Sequence, residues 1–212
     1  MKANRFASFA MLAVAAVMPA PASAQSYVSD AEPFLKAVSE RDGDEATAML
    51  DTRPTLVNSR NAKGQTALNI AIARSDDTWT RFLIGRGADP NLPASNGDTP
   101  LITAARVGAT DAVELLLGLG AKVDQGNKMG ETPLIVAVQQ RRLEAVKLLL
   151  GKGANPDKTD SAAGYSARDY ARRDTRNREL LAAIEASKKP AATAKKPDEA
   201  KKPDDLDSFK LK

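Results

Sequence analysis

The sequence predicts an all-α solenoid in which short helix-turn-helix units stack side by side. One motif, Gly-x-Thr-x-Leu, begins at Gly64, Gly97 and Gly130. A second motif, Gly-Ala, begins at Gly87, Gly120 and Gly153. Both motifs return every 33 residues, and two unrelated motifs with one period indicate a repeated structural unit.

Each unit contains two short apolar segments with helical spacing, such as residues 101–105 and 113–117. Thr99 stands where an N-cap hydroxyl accepts backbone N–H groups, and Pro100 follows at the first helical position, where the N–H that proline lacks is not needed. Gly120 comes just after the second segment, where a left-handed residue ends a helix. We therefore expect two antiparallel helices in each unit.

The units resemble ankyrin repeats, because Gly-x-Thr-Pro-Leu, an Ala-rich first helix, a Leu-rich second helix and Gly-Ala-Asp/Asn all recur at the 33-residue period. Three units in residues 61–157 match this pattern closely. A degenerate unit precedes them from Phe34, and another follows at Gly164, one residue out of register and with Arg168 in place of the core Leu. The resemblance implies an ankyrin-type solenoid of about five units in residues 30–186, with β-hairpin-like loops and a capping unit at the C-terminal end.

One position departs from the family. Ankyrin repeats often carry a His after Thr-Pro-Leu that hydrogen-bonds neighbouring units, whereas this chain has no His and carries Asn69, Ile102 and Ile135 there. Only Asn69 has a side chain that can form such a bond. We expect a local change in how the units are held together and no change of fold.

The first 24 residues carry the pattern of a secretory signal peptide. Two basic residues precede an apolar run over residues 6–18, and Ala-Ser-Ala at 22–24 supplies the small residues that a signal peptidase requires. The run is too short to span a bilayer well. We expect cleavage after Ala24, a short lead at residues 25–29 and a mature protein in the bacterial periplasm. The alternative is an uncleaved N-terminal anchor.

The formal charge of +4 comes from the two ends of the chain. Residues 187–212 carry eight Lys against five acids and the signal peptide adds two basic residues, so residues 25–186 have a net charge of −1. A nucleic-acid-binding domain needs a strong basic stripe. The composition therefore argues against a nucleic-acid partner.

Residues 187–212 differ in composition from the repeats. They repeat Lys-Lys-Pro between Ala, Asp and Glu, with almost no apolar residue before Leu206. Such a segment cannot bury enough apolar surface to fold, so we predict a disordered tail. A second interpretation is that its paired lysines contact an anionic envelope surface.

The chain contains neither His nor Cys, so the most common general base, the thiol nucleophile and the usual zinc ligands are absent. We therefore expect no catalytic site, no metal and no cofactor. An enzymatic alternative would depend on carboxylates alone, and the adjacent Asp76 and Asp77 are the pair to consider. A solvated pair in a turn is their ordinary interpretation.

A stack of such units has one concave face, built from the hairpin tips and the exposed side of each first helix. The family resemblance implies that this concave face binds another protein. Registering the units on their shared glycines places thirteen residues on it: Lys63, Gln65, Arg74, Asn96, Asp98, Arg106, Val107, Met129, Glu131, Gln139, Gln140, Tyr165 and Arg173.

Arg, Met and Tyr are enriched in protein contact surfaces, and Met129 and Tyr165 are the candidate anchors. The sequence thus predicts a monomeric, non-catalytic scaffold that binds a partner protein. The alternative is an envelope-surface or anionic-polymer binding protein that acts through its tail.

Overall fold

Five pairs of antiparallel α-helices follow one another along residues 23–187, the part of the chain that the computed structural model describes. The pairs are α1 (Ser23–Glu40) with α2 (Gly43–Thr52), α3 (Ala67–Ala73) with α4 (Asp77–Gly85), α5 (Pro100–Val107) with α6 (Thr110–Gly118), α7 (Pro133–Gln139) with α8 (Leu143–Gly151), and α9 (Ala167–Arg173) with α10 (Arg178–Ser187). A 3₁₀ helix, Pro54–Asn58, follows α2. Within the described range the loops contain isolated β-bridges and no strand. The predicted all-α solenoid with hairpin-like loops is confirmed.

A side-chain hydroxyl begins the first helix in four of the pairs. The hydroxyls of Thr66, Thr99, Thr132 and Ser166 each accept the backbone N–H of the residue three positions further on. Such a cap contributes about 1 kcal/mol to helix stability. Pro100 occupies the first helical position and Gly120 has φ +84° after α6. The predicted start and end signals are therefore both confirmed.

The core is a repeated aliphatic seam between neighbouring pairs. First helices pack on first helices, α3 on α5, α5 on α7 and α7 on α9, and second helices α4, α6 and α8 pack in the same way. The seam leucines are each at most 2% exposed: Leu68, Leu101 and Leu134 in the first helices, and Leu83, Leu116 and Leu149 in the second. Burying one such side chain stabilises the fold by about 1.5–3 kcal/mol.

The N-terminal pair joins this seam although it lacks the hairpin motif. Phe34, Leu35 and Val38 of α1 are buried, as is Leu50 of α2, which confirms the degenerate first unit. Helix α1 begins at Ser23, so the predicted lead at residues 25–29 lies within its first turns.

The C-terminal pair closes the seam with a charge. Arg168 occupies the position of the seam leucines and is 3% exposed. Its Nε donates to Asp157 Oδ1 at 2.6 Å and its Nη1 to Glu185 Oε1 at 3.0 Å. The hydrogen bond to Asp157 raises the pKa of Arg168 and outweighs the opposing effect of burial. A buried guanidinium paired with acids that still reach solvent is compatible with the capping role that the sequence predicts for this unit.

Asn69 takes the bonding role that His often has in the family. Its Nδ2 donates to the Asp98 carbonyl at 3.1 Å and to Thr103 Oγ1 at 2.9 Å, both in the next unit. Ile102 and Ile135 at the equivalent positions are fully buried. The change expected from the sequence is therefore one polar contact at the first close-matching junction and apolar packing at the next two.

Successive hairpins touch through their backbones. The Ser95 N–H donates to the Gly64 carbonyl at 2.8 Å, and the Ser161 N–H donates to the Met129 carbonyl at 2.8 Å. Gly97 has φ +87°, and a Cβ there would lie 2.5 Å from the Lys128 backbone nitrogen. Glycine is required at this point for two reasons, because its conformation is left-handed and the next hairpin leaves no room for a side chain.

Two predicted segments lie outside the described residues. They are most of the signal peptide, residues 1–22, and nearly all of the predicted tail, residues 188–212. Among the helices of residues 23–187, none combines the length and the apolar character needed to cross a bilayer.

The hairpin contact is tested by a matched pair of substitutions, Gly97→Ala and Gly164→Ala. Both glycines have positive φ, but a Cβ at Gly164 would meet no atom of the described residues within 4 Å. We expect Gly164→Ala to cost about 1–2 kcal/mol of backbone strain. Gly97→Ala should cost at least about 2 kcal/mol more, because the neighbouring hairpin must also shift. Urea unfolding measures both, and equal losses would contradict the backbone contact.

Candidate protein-binding face

The thirteen predicted residues do not contribute equally to the concave face. Seven are exposed: Lys63, Gln65, Arg74, Asn96, Met129, Gln140 and Arg173. Five are half-buried: Arg106, Val107, Glu131, Gln139 and Tyr165. Asp98 is buried, with 7% exposure. The register of the repeat therefore identifies surface positions at all but one of these residues.

Five of the thirteen residues line one groove between the second and third units. The groove has a volume of about 340 Å³ and is lined by Lys63, Gln65, Asn96, Asp98 and Arg106 together with Asn69, Ala73, Ala94, Ser95 and Thr103. We call it the central groove. Ala73 is the counterpart of Arg106 and Gln139 in the following units, and its small side chain leaves space where the other units carry a long one.

Asp98 lines this groove but is buried, and its carboxylate is engaged in hydrogen bonds within the protein. Its carboxylate accepts hydrogen bonds from Arg106 Nη2 and Asn96 Nδ2, both at 2.8 Å, and from Asn127 Nδ2 at 2.9 Å. Asn127 also donates to Glu131 at 2.8 Å. The carboxylate therefore fixes the position of the Arg106 side chain and links two successive hairpins through hydrogen bonds.

Arg74 also serves the stacking of the units. Its Nη1 donates to the carbonyls of Val38, at 3.3 Å, and of Ser39 near the end of α1. Cations at a helix C-terminus satisfy carbonyls that have no partner within the helix. Arg74 is exposed, but its guanidinium is engaged with the preceding unit.

A second groove lies at the C-terminal end of the concave face, between α7 and α9. Its volume is about 390 Å³, and its lining includes Gln139 and Arg173 of the predicted set. The Arg173 guanidinium lies 4.6 Å from the centre of the Tyr165 ring, and its Nη1 donates to the Tyr165 hydroxyl at 2.8 Å. The structure thus brings the predicted Tyr165 and Arg173 into direct contact.

A buried carboxylate supports this end of the face. Asp160 Oδ2 accepts from the Tyr170 hydroxyl at 2.6 Å, and Asp160 Oδ1 accepts the backbone N–H groups of residues 162–164. Burial alone would raise the pKa of Asp160, but these hydrogen bonds outweigh it and hold the pKa below its ordinary value. The same bond to Asp160 raises the pKa of Tyr170. Tyr170 in turn packs edge-on against Tyr165, with ring centres 5.6 Å apart.

Reasoning from the sequence missed three polar residues that organise the face. Asn127 bridges two hairpins, and Arg141 and Arg176 line the C-terminal groove. Asn127 stands 33 residues before Asp160, so the repeat register could have identified the two as equivalent hairpin residues. Arg176 follows α9 and lies outside the hairpin and first-helix positions from which the face was predicted.

The carboxylates considered for catalysis have structural roles. Asp76 is buried, accepts the backbone N–H of Trp79 as the N-cap of α4, and pairs with Arg41 Nε at 2.7 Å. Asp77 is an exposed residue in the first turn of the same helix. In the part of the chain that the structure describes, His, Cys, Asp and Glu side chains form no group of three or more that could hold a metal ion.

Comparison with known proteins agrees with this architecture. Residues 76–160 match the family described as "Ankyrin repeats (3 copies)". The match begins at the N-cap of α4 and ends in the last hairpin, and the helix pairs on either side continue the same stacking. The chain is thus a helical solenoid that contains ankyrin repeats, a class that generally mediates protein–protein interaction. No curated protein matches the chain.

The Asp160 network predicts an acid-sensitive contribution to stability. Because the pKa of Asp160 is lowered in the folded state, its contribution is complete above the unfolded value of about 3.9 and is lost as the pH falls through the folded value. We expect Asp160→Asn to cost about 1–2 kcal/mol at pH 7 and to flatten the decline of stability below pH 5. Urea unfolding between pH 7 and 2 measures this.

Asp111→Asn is the matched control, since Asp111 is exposed in the first turn of α6. The free energy of unfolding of this variant should decline below pH 5 in the same way as that of the unsubstituted protein. An unchanged acid limb for Asp160→Asn would mean that Tyr170 and the loop N–H groups do not stabilise the ionised carboxylate.

Proposed function

We propose that this protein is a non-catalytic scaffold that binds a partner protein on its concave face, in the bacterial periplasm. The observation that carries the proposal is the central groove, where Lys63 and Gln65 of one unit face Asn96 and Arg106 of the next across about 340 Å³. The ankyrin repeats of residues 76–160 support it, because such repeats generally bind proteins.

The central groove offers a preformed surface. Asp98 holds Arg106 and Asn96 through hydrogen bonds of 2.8 Å, and Asn69 holds Thr103 at 2.9 Å. Side chains fixed in this way lose little conformational freedom when a partner binds. Binding would then be rigid-body docking, with small rearrangement of the backbone.

Two features could anchor a partner, one beside the central groove and one within it. Met129 at the next hairpin tip is 52% exposed, which is unusual for a large apolar side chain, and Ala73 leaves a recess in the groove itself. A partner side chain inserted beside Ala73 would be largely removed from water, which is the setting in which contact residues contribute most to affinity.

A non-catalytic role is consistent with the chemistry of the residues. The chain has neither His nor Cys, and the buried Asp76 and Asp98 carboxylates are committed to caps and ion pairs. The remaining polar groups of the central groove are amides, hydroxyls and cations. Such groups recognise a surface and do not supply a nucleophile with a partner base.

The periplasmic location is supported by residues 1–24, which have the basic start, the apolar run and the small residues of a signal peptide. A mature chain that begins at Gln25 would be recovered from a periplasmic extract, and N-terminal sequencing identifies that residue directly.

Partner binding is tested by filling the recess of the central groove with Ala73→Trp. Ala73 is exposed and lines the groove, so the larger side chain should block a partner and leave the fold intact. Ala48→Trp, at an exposed position of α2, is the matched control. The readout is photo-crosslinking in cells from a benzophenone side chain placed at Met129, with mass spectrometry of the captured protein.

We expect one dominant crosslinked protein, lost in Ala73→Trp by at least about tenfold, which corresponds to about 1.4 kcal/mol, and retained in Ala48→Trp. A benzophenone at Arg81 on the second-helix side should not capture it. Equal capture from Met129 and Arg81, or no effect of Ala73→Trp, would contradict a binding site in the central groove.

Removal of residues 188–212 separates this proposal from an envelope-binding role of the tail. We expect the shortened protein to retain the crosslink at Met129, because the central groove lies within residues 63–106. Fractionation of cells measures any membrane or cell-wall association. If deletion abolishes the crosslink together with that association, the tail and not the concave face carries the function.

A further inference from the structure

Arginine side chains concentrate at the C-terminal groove of the concave face. Arg141, Arg173 and Arg176 line it together with Gln139, and Asp174 is the only acidic residue in its lining. We call this site the arginine groove. Two consecutive units contribute to it, since Arg141 follows α7 and the other two arginines lie at and after the end of α9.

The single acid of the arginine groove is already neutralised. Arg141 Nε donates to Asp174 Oδ2 at 2.6 Å and Arg141 Nη2 to Asp174 Oδ1 at 3.2 Å. This hydrogen bond is the main reason that the pKa of Asp174 lies below its ordinary value. Asp174 therefore stays ionised at neutral pH. Its one negative charge faces three guanidinium groups, those of Arg141, Arg173 and Arg176, and the charge of Arg176 also contributes to the lowered pKa of Asp174.

Within residues 31–187, neither Arg173 nor Arg176 forms an ion pair with a carboxylate. Arg173 donates to the neutral hydroxyl of Tyr165 and lies over its ring, which fixes the side chain but leaves its positive charge. Arg176 is exposed, and within the described part of the chain its guanidinium forms no hydrogen bond and no ion pair. Both side chains have N–H groups available to an incoming acceptor.

The excess of positive charge at this groove is local and does not extend along the chain. Arg172, on the next position of α9, is directed to Glu185 at 3.5 Å, and residues 25–186 carry a net charge of −1. A nucleic acid requires an extended basic track, and a lipid surface favours clusters of protruding cations. A recessed site of about 390 Å³ between two units instead suits a short segment of chain.

We infer that the arginine groove binds an acidic segment of the partner protein, with carboxylates of Asp or Glu side chains on Arg173 and Arg176. The inference rests on the proposed function, because it assigns part of the partner to one end of the concave face. Planar guanidinium groups bind carboxylates through paired, charge-assisted hydrogen bonds. Gln139, which also lines the groove, can donate to or accept from the peptide backbone of the bound segment.

The test uses the mature chain, residues 25–212, and a fluorescent twelve-residue peptide of alternating Glu and Ser, with the Gln/Ser peptide as the uncharged probe. We expect the Glu peptide to bind and the Gln peptide to bind at least about tenfold more weakly. The affinity for the Glu peptide should fall as salt rises from about 50 to 300 mM, because the Debye length shortens.

Arg176→Gln and Arg173→Gln should each lower the affinity for the Glu peptide about tenfold. Arg81→Gln, which removes an exposed arginine of α4, should leave its affinity unchanged. Thermal unfolding followed by circular dichroism verifies the fold of each variant. The melting temperature of Arg176→Gln should equal that of the unsubstituted protein. Equal affinity for the Glu and Gln peptides, or equal losses in Arg176→Gln and Arg81→Gln, would overturn the inference.

Vesicles of phosphatidylglycerol provide the competing source of negative charge. If Arg176→Gln reduces vesicle binding and leaves peptide binding unchanged, the groove binds lipid and the inference is wrong. Failure here is distinguishable from failure of the proposed function. If the partner still crosslinks at Met129 and neither Arg173→Gln nor Arg176→Gln changes its capture, the scaffold role stands. Only the binding of an acidic segment is then ruled out.

Discussion

The close approach of successive hairpins sets the geometry on which the rest of this solenoid depends. A backbone N–H of Ser95 reaches the carbonyl of Gly64, and the contact recurs between Ser161 and Met129. Because backbone meets backbone, the distance between units cannot adapt to side-chain size, and a glycine with positive φ stands at each approach. The seam leucines then meet at one repeated spacing, so stability is built from neighbour contacts along a line.

The same spacing decides what the concave face can do. Side chains that are 33 residues apart lie beside one another, and polar groups that bridge them convert a row of separate units into one continuous surface. The Asp98 carboxylate illustrates this, since it gathers donors from its own hairpin, its own helix and the Asn127 side chain of the next hairpin. Rigid support of this kind is what a binding surface needs if recognition is to depend on side-chain identity.

The fold could be predicted from the sequence almost completely, because each local signal has one structural meaning. Thr99 followed by Pro100 favours the start of a helix, and Gly97 and Gly120 accept conformations that other residues resist. The candidate site was predicted in part. Register alone gives the face on which a residue lies, and that was sufficient for Lys63, Gln65, Asn96 and Arg106, which line one groove.

The repeat register does not predict which group a charged side chain forms hydrogen bonds with. Asp98 becomes buried because Arg106 and Asn127 converge on it, and Arg74 turns to the carbonyls at the end of α1. Both outcomes depend on contacts between units that lie about thirty residues apart in the chain. Arg176 was missed for a different reason, since it follows α9 and lies outside the hairpin and first-helix positions from which the face was predicted.

The capping role of Arg168 has an evolutionary consequence. The close-matching units repeat the same leucine seam, and their hairpins donate a backbone hydrogen bond from the equivalent positions Ser95, Lys128 and Ser161. A duplicated 33-residue segment inserted before the last unit would therefore pack against compatible neighbours on both sides. In the last unit, Arg168 and its acids occupy the place of a seam leucine, so a copy of this unit placed inside the stack would interrupt the apolar seam. The recognition surface can therefore lengthen by internal gene duplication while both of its ends stay unchanged.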